Sequence, residues 1–392
     1  MAKRTWEIYQ TLAVLFLNTL LCFLFGNGAL YVIYQGVDAA RGREEQAGAL
    51  AYGDERLSQA YPGWARAERD ALLTETWSRP YQCAPFVHYR ETPYTGRYVN
   101  VHPAGYRDNG QGQAWPPAES TPGPLIFVFG GSTTFGYGVA DAETIPAYLA
   151  ELLPAGAQVY NFGAGSYYST LELLSFQNLL RAGLRPDIAI FIDGINEGQT
   201  EPDRWREFIC DPQAGAGTLS LNYNEWPVSR AADSFRYRLG LNAAGGEENS
   251  AGGGEEGDDI LAQPLTSMAD FAQEREIAAV EQWRDNRRMI QALGDEFGVA
   301  VLFVWQPDPR YQYPRESHLF PERLPPDEIY RHEYLLGLGV KNWPGVLFLA
   351  EIQAGRAEPL YVDALHYTAA FNQEIAGHIA RALSDGGYLS PQ

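Results

Sequence analysis

With 392 residues, 45% hydrophobic and 20% charged, the chain is long enough for a sizeable folded core and too apolar to stay disordered. Its 29 Lys and Arg against 49 Asp and Glu give a formal net charge of −20, which repels polyanions and argues against a nucleic-acid partner. The six histidines and three cysteines have no zinc-type spacing, and no cofactor or metal is called for.

The first element in chain order is apolar. No charged side chain falls between Ile8 and Val37, and the stretch from Thr11 to Tyr34 is long enough to cross a bilayer as a helix, though Asn18 and Asn27 weaken it. Lys3 and Arg4 precede it and favour a cytoplasmic N-terminus. A cleaved signal peptide, the alternative, has a shorter apolar core of about 7 to 15 residues and a small-x-small cleavage site. Residues 1–37 are therefore read as a single-pass membrane anchor, with the rest of the chain extracytoplasmic, in the periplasm of a diderm bacterium. In such an oxidising compartment Cys83 and Cys210 are able to form one disulfide, whereas Cys22 lies in the anchor.

Residues 38–120 follow as a connector and lead-in loops, polar and Arg-rich up to about residue 79 and rich in Gly, Pro and Asn beyond it. The unbroken apolar run LIFVFG, 125–130, predicts a strand covered on both faces. A helix is predicted from about Glu143 to Leu153, a strand in AQVYNFG, a helix over about 169–182 and a buried strand over 187–194. This rhythm predicts an α/β class domain over 121–390, a three-layer α/β/α sandwich around a mainly parallel sheet. The rhythm breaks over 198–266, which contains the acidic, Gly-rich 245–259 stretch and is read as an insertion. A long helix over 268–296, a strand in VAVLFVWQPDP and a last amphipathic helix over 368–383 complete the domain.

Three motifs lie where this topology puts ligands, at the carboxyl ends of parallel strands, and a fourth precedes the last helix. GGSTTFG, 130–136, closes the first strand and offers Ser132; it lacks the lysine of a phosphate-binding loop and the GxSxG spacing of a nucleophile elbow. Asp363 and His366 stand three apart in DALH, a spacing that lets a carboxylate fix the tautomer of an imidazole base. Gly163, in NFGAG, and Asn196, in DGINEG, close two further strands and are candidate N–H donors to an oxyanion. Singly, each motif also fits a plain turn or a helix cap.

Taken together and in this order, the four blocks resemble those of the SGNH, or GDSL, esterase/lipase superfamily, in its membrane-anchored bacterial form. Gly130-Gly131-Ser132 matches the nucleophile block, with Gly131 where the family usually has Asp. Asn161-Phe162-Gly163 matches the glycine block, Gly194-Ile195-Asn196-Glu197 the GxND block, and Asp363-Ala364-Leu365-His366 the DxxH block. The resemblance covers about 125–197 and 290–385 and implies a flavodoxin-like SGNH hydrolase fold. It implies that Ser132 is the nucleophile, His366 the base and Asp363 its orienter, with Ser132 N–H, Gly163 N–H and Asn196 holding the oxyanion. The upstream VNVHPAGYRDN resembles a lead-in of anchored members and brings Asn100 or Arg107 near the cleft.

The implied activity is hydrolysis of an ester, an O-acetyl group on an extracytoplasmic glycan being one candidate. The same site serves an acyl- or acetyltransferase acting on a cell-surface or exported polysaccharide, and a non-catalytic membrane-tethered scaffold is the reading outside enzymes. Acyl chain length and oligomeric state are not written in these motifs.

Overall fold

Apolar runs whose side chains alternate between two packing faces require a sheet covered on both sides. In the computed structural model, residues 4, 6, 9–26, 28, 29, 31, 54–84, 87–110, 112–118, 122–197, 268–324 and 339–389 are described. The 198–266 insertion and Cys210 lie outside the described residues.

The chain divides into two units. One comprises Met1–Glu45 and Pro212–Gln263, and of it only the N-terminal part is described. That part is helix α1, Tyr9–Gly26, long and apolar enough to cross a membrane by length and composition.

The other unit, Gln46–Asp211 with Pro264–Gln392, is built on a five-stranded sheet. Its strands are β5 (Leu125–Gly130), β6 (Gln158–Asn161), β7 (Ile188–Asp193), β8 (Ala300–Trp305) and β9 (Val346–Phe348). The order is β6-β5-β7-β8-β9 and every pairing is parallel. The α/β class and the largely parallel sheet are as the sequence predicts, whereas β9 carries no signal in the sequence. It has only three half-buried residues, too few to carry a periodic signal.

Alternation sorts the core by chemistry. Ile126, Val128, Ile188, Ile190 and Ile192 point to a face covered by α5 (Ile145–Leu152) and α8 (Ala369–Asp385), which bring Leu149, Phe371, Ile375 and Ile379. Phe127, Phe129 and Phe191 point the other way, onto α6 (Ser169–Arg181) and α7 (Met268–Phe297), meeting Phe176 and Ile290. On this aromatic face the Phe129 and Phe191 rings stack at 4.8 Å. The helices start where local chemistry allows. The Thr144 hydroxyl accepts from Ala147 N at α5, and Thr368 does the same for Phe371 N at α8.

Residues 54–110 are more than a spacer. Helices α2 (Asp54–Ala60) and α3 (Arg66–Trp77) bury Leu57, Leu72 and Leu73 against Phe135, Tyr137 and Val362. The short hairpins β1–β2 (Tyr81–Ala84, His88–Glu91) and β3–β4 (Tyr94–Thr95, Asn100–Val101) follow. Polar composition hid this packing, because few apolar positions here repeat at a regular period. Cys83 in β1 is disulfide-bonded, while Cys22 is free.

Candidate active site

The strand order reverses between β5 and β7, and a crevice opens at the carboxyl ends of such a pair. Ser132 follows β5 directly and begins a single helical turn, α4 (Ser132–Phe135). Gly136 ends that turn at φ 95°, a left-handed position where a side chain would strain the backbone and strike Thr144. The reversal leaves Ser132 half-exposed on the rim while Thr133, Thr134 and Phe135 are buried beneath it.

His366 reaches this serine from the far end of the chain. Its Nε2 lies 2.8 Å from Ser132 Oγ. On the other side of the ring, Nδ1 lies 2.9 and 2.8 Å from the two oxygens of Asp363. Asp363 Oδ1 also accepts the backbone N–H groups of Leu365 and His366, so the DxxH spacing folds into a tight turn around its own carboxylate. Burial by itself raises the Asp363 carboxyl, but the adjacent imidazole and these hydrogen bonds bring it below the ordinary value. An ionised Asp363 takes the Nδ1 hydrogen and leaves Nε2 bare to accept from the serine hydroxyl.

Gln306, just past β8, ties the two halves together. Its Oε1 accepts from Thr133 Oγ1 at 2.6 Å and from Tyr367 Oη at 3.1 Å, the neighbours of Ser132 and His366. The ring of His366 is flanked by two aromatics, Tyr137 stacked at 5.3 Å and Trp77 edge-on at 5.5 Å. Trp77 ends α3, so the lead-in segment supplies one wall of the site. His318, also buried, is pushed down to about 4 by its burial and accepts from Phe320 N rather than facing the serine.

Asn196 is buried beside the Gly131–Ser132 turn. Its Nδ2 donates to Tyr167 O at 2.8 Å and stands 2.5 Å from the point where a Cβ on Gly131 would begin. The Ser132 N–H makes no hydrogen bond among the described residues. Gly163, expected as an N–H donor to an oxyanion, follows β6 and lies close to Asn161. Its N–H donates to Asn161 Oδ1 at 3.0 Å, while the Asn161 amide reaches Thr134 O and Phe135 O. Gly163 is a packing glycine, since a side chain there would overlap the backbone of Phe135.

Ser166, which none of the four motifs singles out, also stands near Asn196. It lies between Gly165, which abuts the Tyr137 hydroxyl, and Tyr167, whose carbonyl holds Asn196. Its φ is 58°, and its N–H makes no hydrogen bond among the described residues. A glycine at this place would have signalled the left-handed turn; a serine does not.

Arg107 and Asn100 stand one layer behind the cleft rather than in it. Arg107 is fully buried and donates to Phe135 O, Gly136 O and Val139 O while pairing with Asp141 at 2.9 Å. Asn100 Nδ2 donates to the other oxygen of Asp141. Together they clamp the loop that leaves α4.

Glu197, the residue after Asn196, is one of three interacting buried carboxyls with Glu172 and Asp193. Glu197 accepts from Ser169 N and Ser169 Oγ at the start of α6, and Asp193 accepts from the Trp283 indole. Burial raises all three, Asp193 to about 6, Glu197 to about 8 and Glu172 well above its ordinary value. After burial, the neighbouring Asp193 charge is the next cause of the rise at Glu172. No group of three or more His, Cys, Asp or Glu fit to hold a metal ion occurs among the described residues.

No protein-family model matches the chain, and no curated protein does. Solved structures with a similar course include a member of the lipolytic G-D-S-L family from Veillonella parvula, 9% identical, covering 66% of this chain and 98% of its own at a TM-score of 0.32. A carbohydrate acetylesterase family member from Sinorhizobium meliloti is 11% identical over 67% of this chain and 97% of its own, TM-score 0.35. An acetylxylan esterase from Geobacillus stearothermophilus is 12% identical over 69% and 98%, TM-score 0.31. Each is a distant likeness in the course of the chain.

Proposed function

We propose that the chain is a membrane-anchored serine esterase of the SGNH/GDSL type, with a flavodoxin-like three-layer hydrolase domain, acting on an ester outside the cytosol. The observation that carries this reading is the continuous contact from Ser132 Oγ through His366 to Asp363, made by residues 234 positions apart in sequence. A serine hydroxyl becomes an effective nucleophile when a base of fixed tautomer stands within hydrogen-bond reach.

In the proposed reaction His366 Nε2 removes the Ser132 proton as Oγ attacks the ester carbonyl. Negative charge collects on the carbonyl oxygen and is held by the N–H of Ser132, the Asn196 amide and the N–H of Ser166. The imidazolium, stabilised by Asp363, returns its proton to the departing alcohol and leaves an acyl group on Ser132. A water molecule then gives a proton to His366 and adds to the acyl carbon, releasing the acid and the free serine. An acylated glycan is the substrate class proposed, and the half-exposed Trp77 beside His366 suits a ring-bearing alcohol.

The location is part of the proposal. The apolar α1 serves as a single-pass anchor, and the disulfide at Cys83 suits a domain in an oxidising compartment such as the periplasm.

The test is release of acid from p-nitrophenyl acetate and acetylated oligosaccharides by the full chain in detergent, beside Ser132→Ala. Ser132-dependent release into water supports the esterase. Acyl transfer to an added oligosaccharide, with little hydrolysis, replaces it with the transferase. Turnover undiminished in Ser132→Ala removes the nucleophile.

A further inference from the structure

Glu91 ends the β1–β2 hairpin, outside the sheet, yet it is only 2% exposed and lies against the site. A carboxylate taken out of water costs several kcal/mol unless it is well paired, and apolar packing of the same volume is often at least as stable. Its surroundings show where that cost is met. Oε1 accepts from Tyr137 Oη at 3.0 Å and from Gly165 N at 2.9 Å. Oε2 faces Arg79 Nη1 at 3.3 Å, both side chains being buried.

Each of these partners leads to a different part of the site. The Tyr137 ring stacks on His366. Tyr137 has one phenolic hydrogen, and because it goes to Glu91, Tyr81 is the donor in the 2.8 Å contact between the two hydroxyls. Burial, followed by the Glu91 charge, raises the Tyr137 phenol well above its ordinary value, so this donor persists across the working pH range. Arg79 lies 4.5 Å over the Phe135 ring, at the end of the turn that begins with Ser132. Gly165 opens the turn through Ser166 to Tyr167, whose carbonyl holds Asn196. The space around Gly165 is filled, since a Cβ there would come within 2.6 Å of Tyr137 Oη and closer still to Tyr81 Oη.

We propose that Glu91 is a positioning residue of the hydrolytic site, holding the Tyr137 ring against His366 and the Gly165–Tyr167 turn against Asn196. It acts through these groups and does not touch substrate. The proposal rests on the reading of Ser132 and His366 as nucleophile and base. It assigns a function to the segment before the sheet, which none of the four sequence motifs includes.

The experiment compares Glu91→Gln and Tyr137→Phe with the parent, as full chains in detergent. It measures kcat and KM on p-nitrophenyl acetate and the rate at which a fluorophosphonate labels Ser132. Glu91→Gln keeps an acceptor oxygen but loses the charge facing Arg79, and kcat and labelling should both fall about tenfold at constant KM, the cost of a small misplacement of reacting groups. Tyr137→Phe keeps the ring and loses the hydrogen bonds to Glu91 and from Tyr81, and kcat should fall about threefold to fivefold, again at constant KM.

A Glu91→Gln protein with parental kcat and labelling overturns the proposal, as does a rise in KM at unchanged kcat, which would mean contact with substrate. If Glu91→Gln does not fold, Tyr137→Phe decides, and parental kcat in that variant overturns the proposal. A parent that neither turns over nor labels removes the hydrolase reading and the Glu91 role together. An active parent with indifferent variants removes the Glu91 role alone.

Discussion

The amide nitrogen of Asn196 stands 2.5 Å from where a side chain on Gly131 would begin. The backbone at Gly131, φ −79° and ψ −157°, is open to any residue, so the requirement for glycine is one of space alone. Gly131→Ala should therefore fold normally, displace the Asn196 amide and lower kcat by about 100-fold, as Asn196→Ala should, the loss typical of a missing oxyanion donor. The two changes combined should cost little more than either. Fully multiplicative losses would show that Gly131 and Asn196 act separately.

Asp363→Asn retains the shape of the DxxH turn but removes the charge that sets the His366 tautomer. The expected loss in kcat is about 10⁴-fold, with KM nearly unchanged. A loss of only a few-fold in steady-state kinetics would reduce Asp363 to a cap of its own turn.

Arg107 is the sole side chain reaching three carbonyls of the loop after α4 among the described residues, and it neutralises Asp141 as well. Breaking a buried pair by removing one partner costs about 3–5 kcal/mol, so Arg107→Met should lower the denaturation midpoint sharply. Arg107→Lys should recover part of the loss through its charge. A midpoint unchanged in Arg107→Met would contradict the clamp.

The carboxyls of Glu172, Asp193 and Glu197 titrate higher in the folded chain than in the unfolded one, burial being the first cause for each. Through these three groups the folded chain holds more protons than the unfolded one above the ordinary Glu value of 4.5, against the opposite, smaller contribution of His318 below 6.5. The stability linked to these groups is full below that value and drains away as pH rises to about 8, the folded value for Glu197. Calorimetry at pH 5, 7 and 9 should show a falling Tm. Glu172→Gln, which mimics the protonated acid permanently, should flatten that fall. Parallel slopes for parent and variant would place the proton elsewhere.

Much of this arrangement was legible in the sequence because the strands are buried on both faces. LIFVFG and DIAIFIDG are read as β5 and β7 with no periodicity needed, and the motifs at their ends locate the crevice. Local chemistry likewise carries DALH, since a carboxylate three residues before an imidazole folds onto it. What could not be read is what depends on contacts between distant polar residues. Glu91 and Arg79 have nothing in their surroundings in sequence to distinguish them from surface charges. At Gly163 the sequence shows a glycine after a strand but not the contact that fills its surroundings, the backbone of Phe135. The hairpins and α3 carry too little apolar repetition to announce a buried wall.

That wall has a practical meaning for where the working unit begins. A fragment starting at residue 122 retains the sheet, the serine, the histidine and the aspartate, every residue that a motif search would keep. It lacks Trp77, Arg79, Tyr81 and Glu91, and with them the ring beside His366 and the carboxylate beneath the turn at Ser166. The unit needed for the proposed activity is thus larger than its recognisable motifs, and its upstream border lies near the start of α2.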